Sequence, residues 1–547
     1  MKIKISLTLL LLSISLSLMA QQHPVFNRQD TLRGSITPER AWWDLTYYHL
    51  DISVNPADSS IRGSNTIHYM ILKPSRIMQI DLQEPMKITR VEQNGQDLDF
   101  ERDGNAWFVR LPLQAVPGSS GKITVHYEGK PRVSHRPPWD GGIAWRYDDN
   151  GKPFAASANQ GDGASLWWPC KDHMYDEPDS MLISVTTPGN LMNVSNGRLR
   201  GNHDNKDGTI TWNWFVSNPI SNYVVNINIG DYTRFGEVYH GEKGPLDCDY
   251  YVLKYNLEKA TEHFKEVPRM LEAFEHWFGP YPFYEDSYKL VEVPYPGMEH
   301  QSSVTYGNGF KNGFAGSDIS RTGWGTKFDF IIVHESGHEW FANNITYRDI
   351  ADMWVHESFI AYSEGLFVEY FWGKKAGAEY LRGVRSNIKH DRPIVGLYDV
   401  NYPGSGDMYP KGANMLHTLR QMIGDDERWR EILRGLNEDF YHQTVTGTQI
   451  EEYINSQTDN DLTAFFDQYL RHTTIPVLEY RFMDEYMMYR WINCIKTFDM
   501  PVKVVLDGET VWLEPTVHWS FQDTGKKKTH TLEIDPDFYV GELNIMK

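Results

Sequence analysis

The sequence predicts a multidomain α+β protein in three parts: an N-terminal all-β domain built as a saddle or sandwich, a mainly helical middle domain, and a small C-terminal β domain. Three observations lead there. Between about residues 43 and 232, apolar and polar residues alternate in short runs separated by Gly, Pro, Asn and Asp. From about residue 256 to 472, apolar residues fall instead at helical spacing. After residue 475 the alternation returns. A chain of 547 residues has room for three or four domains, and the boundaries are placed at 21–235, 236–474 and 475–547.

Taken in order, residues 1–20 read as an export signal: a basic start with Lys2 and Lys4, an apolar stretch to Met19, and Ala20 as the cleavage site. No Cys follows the site and no later apolar run is long enough to span a bilayer, so the mature protein is expected to be exported and soluble, periplasmic or secreted, with no membrane anchor. HLDISV (49–54) and GKITVHYEG (121–129) are the clearest strands. The first long helix is predicted over 256–279, capped by Asn256, kinked at Pro268 and ended by Gly279. Further helices are predicted over 328–343, 357–372, 411–422 and 462–471, and PVKVVLDGETVWLEP (501–515) typifies the final strands.

Composition narrows the partners. The chain is 40% hydrophobic and 14% aromatic, enough for large cores. Its 53 Lys and Arg stand against 73 Asp and Glu, a net charge of −20, which argues against nucleic acid or an anionic membrane as partner. Cys170, Cys248 and Cys494 are an odd number, so at least one is free or pairs between chains, and cores of this size need no disulfides. Oligomeric state is not legible.

The densest chemistry lies in VHESGHEWFANNITYRDIADMWVHESF (333–359). His334 and His338 are four residues apart, so on a helix both imidazoles leave one face and suit a tetrahedral zinc. Glu335 is turned aside, placed to reach a water rather than the metal. A buried helix with incidental histidines is the bland alternative, but Ser336 and Gly337 are poor helix formers, so propensity does not explain the segment. Glu357 follows His338 after eighteen residues, within a second helical pattern. A carboxylate from that helix would complete a three-ligand zinc site with one open position, the arrangement of a catalytic metal.

HExxH followed by eighteen residues and Glu resembles the signature of the M1 zinc metallopeptidases, relatives of aminopeptidase N and leukotriene hydrolase. The neighbouring WFANNIT and DMWVHESFIAYSE (352–364) are similar to that family's WFGN-x-VT and D-x-W-L-N-E-G-F-A-x-Y-x-E. The resemblance implies a thermolysin-like catalytic domain, one Zn2+ per chain, and peptide substrates with a free N-terminus. It implies a substrate-binding strand at Gly297-Met298-Glu299-His300, where Glu299 holds the α-amine and His300 stands in place of the family's Asn. Gln160, nine residues before Pro169, matches a second amine anchor, although the usual Arg is missing and KDHMY is inserted before Asp176-Glu177-Pro178. Tyr409 in MYPKGA matches the phenol that faces the metal. Asp352 and Glu364 are candidates to orient a ligand histidine.

These matches imply peptide hydrolysis with Glu335 as general base and Tyr409 as oxyanion stabiliser. After about residue 475 too little chain remains for the long helical solenoid of larger members, so an open site is expected. An endopeptidase or tripeptide-releasing enzyme of the same zinc class, epoxide hydrolysis, and a non-catalytic peptide-binding protein on the same fold stay open as alternatives.

Overall fold

The computed structural model describes residues 24–112, 116–483, 485–525 and 529–545. The expected export signal, residues 1–20, lies outside the described residues. Among them, no helix is long and apolar enough to cross a membrane.

The N-terminal part is built on an eight-stranded sheet. Its central strand, Trp43–Asn55, pairs antiparallel with Ser60–Ile71 and parallel with Ser180–Pro188. Period-two burial explains its place: Leu50, Ile52 and Val54 point into the core while Asp51 and Asn55 face out. Two smaller sheets pack with it, one holding Ile77–Asp81, the other Gly142–Tyr147 and Pro153–Ala158. The inserted KDHMY segment is not a surface loop. Lys171, Asp172 and His173 are buried, and the Lys171 ammonium pairs with Asp176 and lies 4.1 Å from the Trp43 ring centre.

A five-stranded sheet opens the catalytic part. Its order is Tyr232–Gly241, Gly244–Leu253, Tyr288–Glu292, Val304–Tyr306 and Gly297–Met298, the last strand lying at the edge. The expected boundary at 235 therefore falls inside the first strand of this sheet. The helix expected over 256–279 is two helices, Leu257–His263 and α1 (Glu266–Phe278). The break precedes Pro268, which sits in the first turn of α1 where its missing N–H costs nothing. Asn256 does not cap the segment; its side chain donates to Glu292 Oε1 instead. Gly279 ends α1 at φ 91°, a conformation that favours glycine.

Three further helices shape the site. α2 (Phe330–Gly337) is shorter than expected and gives way to an irregular turn at Glu339–Asn344, where Phe341 and Ala342 leave helical geometry. α3 (Trp354–Trp372) and α4 (Pro410–Ile423) pack closely. A Cβ on Gly412 of α4 would lie 2.0 Å from Ser358 Oγ of α3, so only glycine permits the approach. The C-terminal part is two small sheets, one containing Val477–Phe482 and the other Val502–Leu506; beyond Arg471 the described residues contain no helix. It docks on the catalytic part through the Arg382–Asp537 pair and the Tyr469 hydroxyl, which donates to Tyr539 O. All three cysteines are free thiols, Cys170 and Cys248 buried.

Asp329 anchors α2. Its Oδ1 accepts from the N–H groups of Ile331 and Ile332 and from Asn308, while Oδ2 accepts from the Tyr306 hydroxyl and contacts His263 Nε2 at 2.6 Å. Replacing this buried carboxylate with Ala removes a helix cap and leaves three side chains without their partner. Asp329→Ala is predicted to lower the unfolding free energy by about 3–5 kcal/mol, read from denaturant midpoints. A loss below about 1 kcal/mol would show that α2 is held by packing alone.

Candidate active site

Glu299, Glu335, His334, His338 and Glu357 meet at the floor of a cavity of about 540 Å³, together with Gln160, Gly297, Met298 and Tyr409. Each arrives from a different local device. The edge strand Gly297–Met298 runs over α2 so closely that a Cβ on Gly297 would lie 2.6 Å from Ile331 Cγ2 and 2.9 Å from Glu335 Cγ. α2 supplies His334 and Glu335, α3 supplies Glu357 and Glu364, and Tyr409 precedes α4.

The two imidazoles are set up as a pair. His334 Nδ1 lies 2.8 Å from Glu364 Oε1, and His338 Nδ1 lies 3.0 Å from the Phe341 carbonyl. The Phe341 carbonyl can only accept, so the His338 proton sits on Nδ1 and its Nε2 lone pair is open; Glu364, when ionised, sets His334 the same way. The Phe341 carbonyl can turn back to His338 because the chain leaves helical geometry there: His338 is the C-cap of α2, not an interior residue. Glu357 Oε2 lies 3.8 Å from His334 Nε2 and 3.5 Å from His338 Nε2. Ligands of a tetrahedral zinc lie about 3.3 Å apart by geometry.

These residues fit a metal ion. Ligand atoms of His334, His338 and Glu357 all lie within 4.8 Å of one another. Glu357 Oε2 is buried and has no hydrogen-bond partner, while Gln160 Nε2 donates to Oε1 at 2.9 Å. An orphaned buried carboxylate oxygen facing two open imidazole nitrogens is the donor set zinc requires. Glu299, Glu335 and His338 form a second cluster within the same distance. Both clusters use His338, whose Nδ1 is committed to Phe341, so its single open nitrogen can serve only one of them.

The electrostatics are lopsided. Among the described lining residues there is no Lys or Arg. Burial pushes the Glu299 carboxyl up to about 7 and that of Glu364 up to about 8. Burial and then the charge of Glu299 push Glu357 up to about 8. Burial, then Glu299, Glu357 and Glu364, raise Glu335 well above the carboxylate range. Burial holds His334 down at about 3, keeping it neutral, and burial also lowers His338. The Tyr409 phenol is raised by burial and by Glu357 and Glu299, so it stays protonated; its ring stacks 6.1 Å from that of His334.

Most of the expected substrate residues are also brought together. Gln160 Nε2 donates to Glu299 Oε1 at 2.7 Å, so the two expected amine anchors touch. His300 is the exception: it is fully buried and does not line the cavity. The chain turns after Glu299, with the His300 N–H donating to Met298 O and Ser302 at φ 51°, which sends the ring inward to within 3.3 Å of Thr305 Oγ1. Glu364 contacts a candidate ligand histidine, but Asp352 does not: it accepts from Gly447 N–H and the Tyr398 hydroxyl. Three contacts go beyond the residues expected from sequence. Asn343 donates to Glu299 O, Asn401 donates to Gly161 O beside Gln160, and Arg132 pairs with Asp162 in the same loop. Only Asn343 had a signal, as part of the WFANN run.

Known proteins resemble this chain in sequence and in fold. The Peptidase M1 N-terminal domain model matches residues 45–224, and the Peptidase family M1 domain model matches residues 262–469. Aminopeptidase N of Lactococcus lactis subsp. lactis is 21% identical over 482 residues, covering 80% of this chain and 52% of that protein. Leukotriene A-4 hydrolase of Xenopus laevis is 22% identical over 447 residues, covering 77% of this chain and 69% of that protein. The chain thus spans about half the length of the lactococcal relative. In fold it is similar to a two-domain M1 zinc metallopeptidase mutant bound to L-tryptophan, with a TM-score of 0.68, 21% identity, and coverage of 81% of this chain and 96% of that one. A mutant M1 zinc metallopeptidase of Deinococcus radiodurans bound to a Tyr-Ser-Ala substrate gives a TM-score of 0.67 at 20% identity, covering 81% and 98%. With both domain models matched in order along the chain and the donor set of a zinc site inside the second, this protein belongs to the M1 family of zinc metallopeptidases.

Proposed function

We propose that the chain is a zinc-dependent aminopeptidase that removes the first residue of peptides with a free N-terminus. The observation that carries this reading is the charge of the cavity. Glu299, Glu335, Glu357 and Glu364 share one buried space with two neutral imidazoles and no lining cation among the described residues. Such a space is complementary to a divalent metal together with a substrate ammonium.

His334, His338 and Glu357 would hold the metal. When bound, zinc supplies a Lewis acid that polarises a carbonyl and lowers the pKa of water. Glu335 accepts no hydrogen bond from the described residues and lines the cavity, so its carboxylate is free to act as a base there. It takes a proton from the attacking water and delivers it to the leaving amine. Tyr409, kept protonated, donates a hydrogen bond to the oxyanion that forms on the scissile carbonyl. Glu299 pairs with the α-ammonium, and Gln160 Oε1 accepts a second of its N–H groups. The backbone of Gly297–Met298, an unpaired sheet edge, aligns the peptide as an added strand. Fixing the ammonium fixes which peptide bond meets Glu335, so one residue leaves per turnover. The pattern in residues 1–20 supports export to the periplasm or the cell exterior as the place of action.

Matched peptides with free and N-acetylated termini test the reading: the free peptide is cleaved and the blocked one is not. Equal cleavage of both would favour an endopeptidase on the same zinc chemistry. Glu335→Gln is expected to lower kcat about 10²- to 10⁴-fold with zinc retained by atomic absorption. Tyr409→Phe is expected to lower kcat about 10²- to 10³-fold while KM changes little. Full activity in either variant would contradict the assigned role.

The raised carboxyls also predict a pH signature. Above about pH 7 the histidines are mostly neutral in both states: burial lowers them in the folded protein, and in the unfolded chain they titrate near 6.5. Between pH 6.5 and 8 Glu357 and Glu364 ionise in the folded protein, whereas in the unfolded chain they are already ionised near 4.5. The metal-free protein therefore holds more protons folded than unfolded, and its stability falls as pH rises toward 8. Zinc reverses this by compensating the charge. The rise in Tm on adding zinc is predicted to grow from pH 6.5 to pH 8, and a rise that shrinks over that range would count against Glu357 as a ligand.

A further inference from the structure

We propose that a second pocket, at the seam between the N-terminal β domain and the catalytic domain, binds a small oxyanion of the phosphate or sulfate class. The pocket has a volume of about 280 Å³ and shares no lining residue with the candidate active site. Arg200 on strand Arg198–Asp204 and Trp214 on strand Thr209–Val216 line one side, and Lys289 on strand Tyr288–Glu292 lines the other.

Unmet donors converge here. Lys289 is only 1% exposed, yet its ammonium makes one hydrogen bond, to the Gly197 carbonyl, and no ion pair among the described residues. The indole N–H of Trp214, also 1% exposed, is buried without an acceptor. The ammonium lies 5.6 Å from the Trp214 ring centre, so the two donors share one space. Arg200 stacks over Phe215 at 5.5 Å and has no ion pair among the described residues.

The acids nearby are already engaged: Asp286 and Glu339, whose charges favour the Lys289 ammonium, lie outside the pocket lining, Asp286 accepting from the Ser217 and Asn218 N–H groups and Glu339 from the Ser302 N–H and the Tyr281 hydroxyl. Asp249 accepts from Arg234 Nε at 3.0 Å, and Asp247 pairs with Arg198 at 2.7 Å. After these pairings two cations and an indole N–H remain, in a chain whose net charge is −20. A buried ammonium with no ion pair and one hydrogen bond, and a buried N–H without an acceptor, are both costly. A water molecule could accept from the donors but would bring no charge to the two lining cations that lack an ion pair. An oxyanion meets both needs, because its several lone pairs accept charge-assisted bonds from ammonium, indole and guanidinium at once. Burial pulls the Lys289 ammonium down to about 8, which leaves it mostly charged at neutral pH.

An anion held there would tie the two domains together. Hydrogen bonds already cross the same seam, among them Asn196 Nδ2 donating to Gln301 O and the Gly197 N–H donating to Ser302 Oγ. Stability of the intact protein is therefore the readout.

Thermal unfolding of the full zinc-loaded chain at pH 7 is followed while sodium sulfate, sodium phosphate or sodium chloride is added at matched ionic strength. Sulfate or phosphate is expected to raise Tm saturably and chloride is not. Arg200→Ser, at the pocket rim, should weaken the apparent affinity about fivefold and leave peptidase activity unchanged. Lys289→Met, which fills the same buried space without charge, should remove the saturable rise. If Lys289→Met does not fold, Arg200→Ser decides. A Tm that follows ionic strength alone, or a saturable rise unaltered in the variants, overturns the proposal. Variants that remove any anion effect at the active site, such as His334→Ala, should leave this one in place.

Discussion

The structure around the candidate site depends on one constraint: carboxylates gathered in a buried space that contains no side-chain cation among the described residues. Proteins bury ionised groups only when they are paired, hydrogen-bonded or bound to metal. Here Gln160 satisfies one oxygen each of Glu299 and Glu357, and His334 and the Tyr380 hydroxyl satisfy Glu364. Glu357 Oε2 has no such partner. The arrangement is thus incomplete on its own and complementary to positive charge brought from outside.

The scaffold fixes that arrangement through close backbone approaches. Gly297 lets the edge strand rest on α2, and Gly412 lets α4 rest on α3. The turn after His338 serves the same end. By leaving helical geometry at Phe341 it returns a carbonyl to the imidazole, and Asn343 then holds the carbonyl of Glu299. One irregular segment therefore orients a candidate metal ligand and a candidate substrate residue together, which makes it a sensitive target for mutation even though it lacks chemistry of its own.

Much of the fold was legible because its signals are local. The change from alternating to helical periodicity separates the three parts without any knowledge of contacts, and the His334–His338 spacing needs only the pitch of a helix. Glu357 was legible because α3 carries its own periodic pattern. What failed was set by contacts distant in sequence or by single backbone angles. Gln160 touches Glu357 across 197 positions, a link no spacing rule supplies. His300 lies away from the cavity that its neighbour Glu299 lines, and the turn that follows includes Ser302 at a left-handed angle that its residue type does not announce. The first long helix broke before Pro268 rather than at it, and α2 ended at His338, just before the chain leaves helical geometry at Phe341 and Ala342.

The account rests on a metal held between α2 and α3. Its most direct test is anomalous diffraction at the zinc edge from crystals grown with one equivalent of zinc. The account predicts a single strong peak in contact with His334 Nε2, His338 Nε2 and a Glu357 carboxylate oxygen. A peak bound instead by Glu299 and Glu335, or no peak in this cavity, would contradict it.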